Sequence, residues 1–344
     1  MSSSKITIYD IAREADVSVS TVSRILTGSA PVRPDTKERV EAVLRRHNFR
    51  PNRAARNLSY QRTMMIGVIL PDITNPYFST VFAELQRDAL ARDYSLLLFN
   101  AMNSLDLESE GLAYLSRHQV DGLIFMGGRV DEITLSDHYR DELEEFAAQI
   151  PTVVVNGGYE SDLVSSVRTD DKGGVAQLVE YLTKLGHRHI GLLGGSDHIT
   201  VTRDRQLAFR DTMAHFGHEV REEWLLTDGF SIDSGVRVLE SLLGQPERPT
   251  AVICINDLVA LGVLKAARRH RVSVPRDLSL AGFDDVYLAE VSTPELTTVS
   301  HDYPALGSVV VETMIRHIEQ ESVPDAVRIA MQLVVRDSCA ALQA

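Results

Sequence analysis

From Met64 onward the chain alternates short apolar, β-prone runs with helical stretches, and this alternation restricts the fold more than any other feature. The runs are MIGVILP (65–71), YSLLLFN (94–100), DGLIFM (121–126), TVVVN (152–156), HIGLLG (189–194), AVICI (251–255) and LSLAGF (around 279–283). Apolar residues at helical spacing fall between them, over Tyr77–Arg92, Gly173–Leu185, Arg203–Phe216 and Asp257–Arg271. Strands that are apolar along their length are covered on both faces, and strands that alternate with helices lie parallel. Roughly ten such units overfill one sheet, so two α/β lobes are expected. Ligands of open α/β sheets bind beyond the carboxyl ends of the strands. Asn100, Asn156, the pair Asn256-Asp257 and the pair Asp284-Asp285 stand at such ends. Each of them can simply cap the next helix, as Asp257 would for Leu258–Arg271. Asn or Asp at four separate ends favours a shared site across a cleft.

The first sixty residues read differently. Thr7 to Ala15 is a short helix with Thr7 as its cap and Ile8, Ile11, Ala12 and Ala15 on one face. Asp16-Val17 makes a tight turn, and Ser18 caps a second helix with Val22, Ile25 and Leu26 facing inward. Gly28, Pro31 and Pro34 mark a loop, and Thr36–His47 is a third helix carrying Val40, Val43 and Leu44. Three short helices with a tight turn between the first two form an all-α helix-turn-helix. Ser18, Ser20, Thr21 and Ser23 are small donors able to reach phosphates or base edges, and Arg24 suits guanine O6/N7. The same residues also fit a serine-rich cap followed by a surface arginine.

Charge helps decide. The chain carries 35 Lys and Arg against 48 Asp and Glu, a net charge of -13. Residues 1–62 hold 12 of the basic and 6 of the acidic residues, or +6, which leaves 23 basic and 42 acidic, or -19, for the rest. A basic head on an acidic body confines nucleic-acid binding to one end.

TIYDIAREADVSVSTVSRIL (7–26), followed by PNRAARNL (51–58), closely resembles the LacI/GalR family of bacterial transcription regulators. The resemblance implies three segments: a DNA-binding head over 1–50, a hinge helix or linker over 51–62, and a two-lobed, periplasmic-binding-protein-like effector and dimerisation domain over 63–344. It implies phosphate contacts for Thr7, Ser18, Thr21 and Ser23, and base reading for Val19, Ser20 and Arg24. Taken alone, residues 51–58 are either a solvated basic linker or a helix too short to be stable by itself. The family's hinge helices pair in the minor groove, which places Asn52, Arg53, Ala55 and Asn57 at DNA, with Ala54 and Ala55 allowing close helix approach. Leu58 is then the wedge between central base pairs. In the body the resemblance assigns effector contacts to Tyr77, Phe78, Asn156, Asp170, Arg203, Arg205, Phe230, Asn256 and Asp284. An arginine fork, Asp and Asn acceptors and aromatic faces suit a sugar, and a purine would use similar groups. The sequence departs from the family at Asp16 and Ala208, where glycine is usual, and at Met126, where some members are polar.

Other chemistry finds little support. Gly191–Gly195 matches neither a P-loop nor a dinucleotide fingerprint, and the zinc-protease, CxxC and G-x-S-x-G patterns are missing from the sequence. His187 and His189 at a helix-to-strand turn could bind metal, but a structural role suits them better. Asp170-Asp171 could be a carboxylate pair, but capping the helix at Gly173 suits them better. Cys254, within AVICI, reads as a reduced core thiol, and neither cysteine suggests a disulfide. MSSSKITIYD has no apolar stretch of a signal peptide, and Met64–Leu70, the longest apolar run, is too short to span a bilayer. The expectation is a cytoplasmic, homodimeric regulator on a palindromic operator, a repressor of carbohydrate-use genes with a sugar effector and neither cofactor nor metal. A purine or a partner protein as the controlling agent, or a small-molecule binding protein without a DNA role, are the alternatives.

Overall fold

In the computed structural model, which describes residues 6–27, 30–47, 49, 62–322 and 326–342, the head is three short helices. Helix α1 (Ile8–Glu14) opens with a capping box: Thr7 Oγ1 accepts from the Asp10 amide at 3.4 Å, and Asp10 Oδ2 accepts from the Thr7 amide at 2.9 Å. Asp16 has φ of 51°, so the left-handed turn that glycine usually supplies is made by an aspartate. Ser18 Oγ accepts from the Thr21 amide at 3.2 Å at the start of α2 (Val19–Thr27). Helix α3 (Pro34–Arg46) starts two residues earlier than its apolar stripe suggests, because Pro34 suits the first helical position. Ile11, Ala12, Ala15, Val22, Val40 and Val43 are buried together, and Glu14 ties α1 to Arg46 and His47 at 2.6 Å each.

Residues 65–344 form a separate unit. It runs β1 (Met65–Leu70), α4 (Pro76–Ala91), β2 (Ser95–Asn100), α5 (Leu105–Arg117), β3 (Gly122–Met126), a 3-10 turn (Gly128–Asp131), α6 (Asp137–Ala147), β4 (Thr152–Val155) and β5 (Val164–Thr169). The chain then leaves the first sheet for α7 (Asp171–Lys184), β6 (Ile190–Leu193), α8 (Thr200–His215), β7 (Leu225–Leu226), α9 (Ile232–Leu243), β8 (Ala251–Cys254), α10 (Asp257–His270), β9 (Ser279–Ala281), α11 (Leu288–Val291) and β10 (Thr298–His301). It returns for α12 (Tyr303–Ile318) and β11 (Ala326–Ile329), and crosses a third time into β12 (Met331–Val334).

The first lobe holds a six-stranded parallel sheet of order β11-β5-β4-β3-β1-β2. In the second, a four-stranded parallel sheet has the order β7-β6-β8-β9, beside an antiparallel β10–β12 pair. Ile66 to Leu70 and Gly122 to Met126 are buried without interruption, as central strands covered on both faces must be. In the second lobe α9 and α10 cross at Gly235 and Gly262. A Cβ at either would stand 2.0 Å from a backbone oxygen of the other helix, so only glycine allows the approach. Among the described residues no helix is long and apolar enough to cross a membrane.

Candidate functional site

Two surfaces carry the chemistry, one in each unit. On the head, the hydroxyls of Ser18, Ser20 and Thr21 cluster at the start of α2, Ser18 Oγ lying 2.8 Å from each of the other two. Ser20 and Arg24 are exposed, one turn apart on the same helix face. Val19 is half-buried against the head's core, so only part of its side chain faces outward. Ser23 is half-buried on the same helix. Thr7 Oγ1 donates to Asp10 Oδ2 at 2.6 Å, and Tyr9 stands 66% exposed beside it, an aromatic that the sequence reading did not single out. Asn52, Arg53, Ala54, Ala55, Asn57 and Leu58 lie outside the described residues.

In the body, a cavity of about 480 Å³ opens at the carboxyl ends of both sheets. Tyr77, Phe78, Asn156, Arg205, Phe230, Asn256 and Asp284 all line it. Asn156, at the end of β4, adopts φ of 63°, a left-handed conformation asparagine tolerates. Its Oδ1 accepts from the Thr169 amide at 2.7 Å and its Nδ2 donates to Tyr77 Oη at 2.7 Å. Asn256, at the end of β8, caps α10 through Val259 and donates to the Phe230 carbonyl at 3.0 Å. The cap of α10 is therefore Asn256 and not Asp257. Asp257 is fully buried and accepts instead from the Val286 amide and the Thr298 hydroxyl, and burial pushes its carboxyl well up.

Arg205 sits at the centre, on α8. Its Nε donates to Asp171 Oδ2 at 2.8 Å, one Nη to the Ile255 carbonyl, and the other lies 3.8 Å from Asp284 Oδ1. The guanidinium carbon is 3.6 Å from the Phe283 ring centroid. Burial by itself would raise the Asp171 carboxyl, but Arg205 holds it below the usual range. His301 Nε2 is 3.2 Å from Asp284 Oδ1, and the Tyr303 hydroxyl donates to the Asp284 carbonyl. Asp171 and His301 both stand where the chain crosses between lobes, so this charged cluster is built on the crossings themselves.

Two expected contacts fall elsewhere. Arg203 is half-exposed, pairs with Asp204, and does not line the cavity. Residues two apart on a helix point to opposite sides, so with Arg205 inward Arg203 turns outward. Asp170 caps α7 by accepting from the Gly173 amide, and its neighbour Asp171 is the residue that reaches Arg205.

The sequence reading also missed the wall after β3. There the 3-10 turn Gly128–Asp131 brings Asp131 and Glu132 to the cavity, next to Glu108 from α5. Asp131 Oδ1 is sealed from solvent with no hydrogen-bond partner among the described residues. Burial, then the Asp171 charge, pushes this carboxyl up to about 7. The folded state thus holds a proton between about pH 4 and 7 that the unfolded chain has released, and stability falls as pH rises through that window. Asp131→Asn is expected to gain roughly 1–3 kcal/mol over wild type at pH 8 and little at pH 4. Urea melts at the two pH values check this, and an equal difference at both would refute it. Asp131 lies five residues beyond β3, at the end of the 3-10 turn, whereas Asn156 directly follows β4, so strand-end position alone does not single it out.

A helix-turn-helix joined to a two-lobed body with a cavity at its strand ends defines a DNA-binding transcription regulator. Comparison with known proteins agrees. Residues 7–52 match the model of bacterial regulatory proteins of the lacI family, and residues 179–339 match a periplasmic binding protein-like domain. Catabolite control protein A of Staphylococcus epidermidis is 33% identical over 318 residues, 92% of this chain and 94% of that protein. The lac repressor dimer bound to operator and the anti-inducer ONPF superposes with a TM-score of 0.82 at 25% identity, over 98% of this chain and 100% of that one. The transcriptional regulator CelR in complex with cellobiose gives 0.73 at 25% identity, over 97% and 99%. The chain belongs to the lacI family of bacterial regulatory proteins. It is a DNA-binding transcription regulator and not an enzyme.

Proposed function

We propose that the protein is a cytoplasmic repressor of carbohydrate-use genes that binds a palindromic operator as a homodimer and takes a sugar-class effector in the body cavity. The observation that carries this reading is the joint lining of one cavity by Arg205, Asp284, Asn156 and Asn256 with the aromatic rings of Tyr77, Phe78 and Phe230. Hydroxyl pairs need fixed donors and acceptors, and sugar C–H faces need flat apolar surface. Two solved relatives, one in complex with cellobiose and the other a dimer bound to operator, support the sugar class and the assembly. Residues 51–62 serve as the hinge, with Leu58 wedging the operator centre. Thr7, Ser18, Thr21 and Ser23 hold phosphates, while Val19, Ser20 and Arg24 read bases. Effector binding then alters the placement of the two lobes, and through the hinges the spacing of the heads.

Selection of duplexes from a random pool by the full chain tests the DNA half. A palindromic consensus is expected, with affinity falling steeply between 50 and 200 mM salt, by a factor on the order of 10³ or more. Arg24→Ala is expected to cost about 1–3 kcal/mol and to relax preference at one position of each half-site. An enriched pool without symmetry, or an unchanged preference in the variant, would count against this assignment.

A further inference from the structure

Asp284 is held in a backbone conformation that a residue other than glycine adopts only at a cost. Its φ is 103°, well beyond the left-handed well at about 57° that aspartate tolerates. Strain of this kind persists only where the surroundings over-determine it, and it gathers at functional sites. One stretch, residues 299–303, holds Asp284 by backbone and side chain together. The Asp284 amide donates to the Val299 carbonyl at 2.9 Å, its carbonyl accepts from the Tyr303 hydroxyl at 2.7 Å, and its Oδ1 accepts from His301 Nε2 at 3.2 Å.

His301 supplies the only hydrogen bond to this carboxylate among the described residues, since Arg205 Nη2 stands 3.8 Å from it. A carboxylate only accepts, so Nε2 carries the proton. The imidazole is fully buried and does not line the cavity. The rings of Tyr77, Tyr303 and Phe283 pack around it, with centroids 5.1, 5.4 and 6.0 Å away. Its Nδ1 is sealed from solvent with no hydrogen-bond partner among the described residues. An apolar side chain would fill this place at less cost, because an unpaired buried nitrogen is unfavourable. The bond to Asp284 is what an imidazole adds here. Asp284 itself lines the cavity, and its Oδ2 is neither hydrogen-bonded nor sealed among the described residues. That oxygen is open to a ligand while its partner oxygen is held from behind.

We propose that His301 is a positioning residue for the effector. It does not touch the ligand but holds the Asp284 carboxylate so that Oδ2 accepts from one ligand hydroxyl, while Tyr303 fixes the strained backbone beneath it. The inference rests on the sugar reading of the cavity and places a specificity determinant within it. An acceptor held in its binding pose need not be ordered when the ligand arrives, so affinity gains. A fixed acceptor also selects a hydroxyl at one place on the ring, because a sugar without it leaves the buried carboxylate unpaired.

The test is calorimetry on the full chain at pH 7 with glucose, galactose, mannose, ribose and cellobiose, then with the monodeoxy forms of the sugar that binds. His301→Leu is expected to weaken that sugar at least about ten-fold, the scale of one charge-assisted hydrogen bond. His301→Gln, whose amide nitrogen can donate from the same place, should stay within about three-fold of wild type. One monodeoxy form should bind wild type more weakly because its missing hydroxyl is the one Asp284 takes, and His301→Leu should weaken that form less than about three-fold further. Tyr303→Phe removes a single hydroxyl and keeps the test open if leucine is not accommodated at 301. It should weaken the parent sugar by about three-fold or more and spare the same deoxy form. If His301→Gln loses as much as His301→Leu, the donor is not what matters and the proposal fails. If the loss is equal for every deoxy form, these residues act on the pocket at large and not through Asp284, and the proposal fails. Unchanged binding in His301→Leu or, where that variant no longer binds DNA, in Tyr303→Phe overturns it with the sugar reading intact. If no sugar binds a wild-type chain that still binds DNA, the sugar reading itself falls, and this assignment with it.

Discussion

Replacing Arg205 by alanine is expected to lower stability by roughly 3–5 kcal/mol, because it leaves buried charges without their partner. Asp171 and Asp284 both face this guanidinium, and with it gone they face each other at a largely buried site without a cation between them. The Ile255 carbonyl at the end of β8 loses its donor, and the Phe283 ring loses the plane that covers it. In a urea melt the midpoint should fall with the slope unchanged. Adding Asp171→Asn to the alanine variant should recover a large part of the loss, since one of the two stranded charges is then removed. A single variant as stable as wild type would mean that the cluster is held by something other than Arg205. The cluster stands on two of the three chain crossings, so the same substitution should also loosen the lobes.

An equally large effect is expected at Arg129, which lies outside every pattern the sequence offered. This side chain is completely buried, and so is Glu108 beneath it. Nε donates to Glu108 at 2.9 Å, one Nη to the Tyr139 carbonyl and Glu142, and the other to the Leu105 carbonyl and Ser109, so the donors of the guanidinium are fully used. Glu108 passes so close to Gly128 that a Cβ there would sit 1.7 Å from its carboxyl oxygen. Burial raises the Glu108 carboxyl despite the arginine. Arg129→Ala strips the buried Glu108 carboxyl of its cationic partner and leaves it the backbone amide of residue 129, and a loss of about 3–5 kcal/mol should follow. Arg129→Ala with Glu108→Gln should lose less than Arg129→Ala alone. If the double variant is no better than the single, the charge on Glu108 is not what the arginine balances. The turn that carries Arg129 also carries Asp131, so the network fixes the acidic wall of the cavity as well as the first lobe.

These residues show where the sequence was legible and where it was not. Strand-end asparagines and aspartates are visible because strand and helix periodicities frame them, and Asn156, Asn256 and Asp284 follow from that framing without the resemblance. The parallel two-lobed fold was legible for the same reason. Strand β5 was not, since VSSVRT sets two adjacent serines between its valines and gives no apolar run. Asp170 is assigned through the resemblance, and it stands one residue before Asp171, the side chain that reaches Arg205. Helix α8 was expected from Arg203, but it begins at Thr200 without a side-chain cap, so its start left no signal. Arg205 itself emerged only from the family pattern. Arg129 and Glu108 are distant in sequence and ordinary in composition, and only the folded chain brings them together. In the head, by contrast, capping and turn chemistry are local, and Thr7, Asp16 and Ser18 take the conformations their side chains imply.

The central claim is that occupancy of the body cavity sets how tightly the head holds DNA. Fluorescence anisotropy on the selected palindrome, with and without a saturating sugar that calorimetry shows to bind, measures this directly. The account predicts an operator Kd that changes by about 5–150-fold, the usual size of such coupling. An operator Kd that stays the same while the cavity is occupied would contradict it.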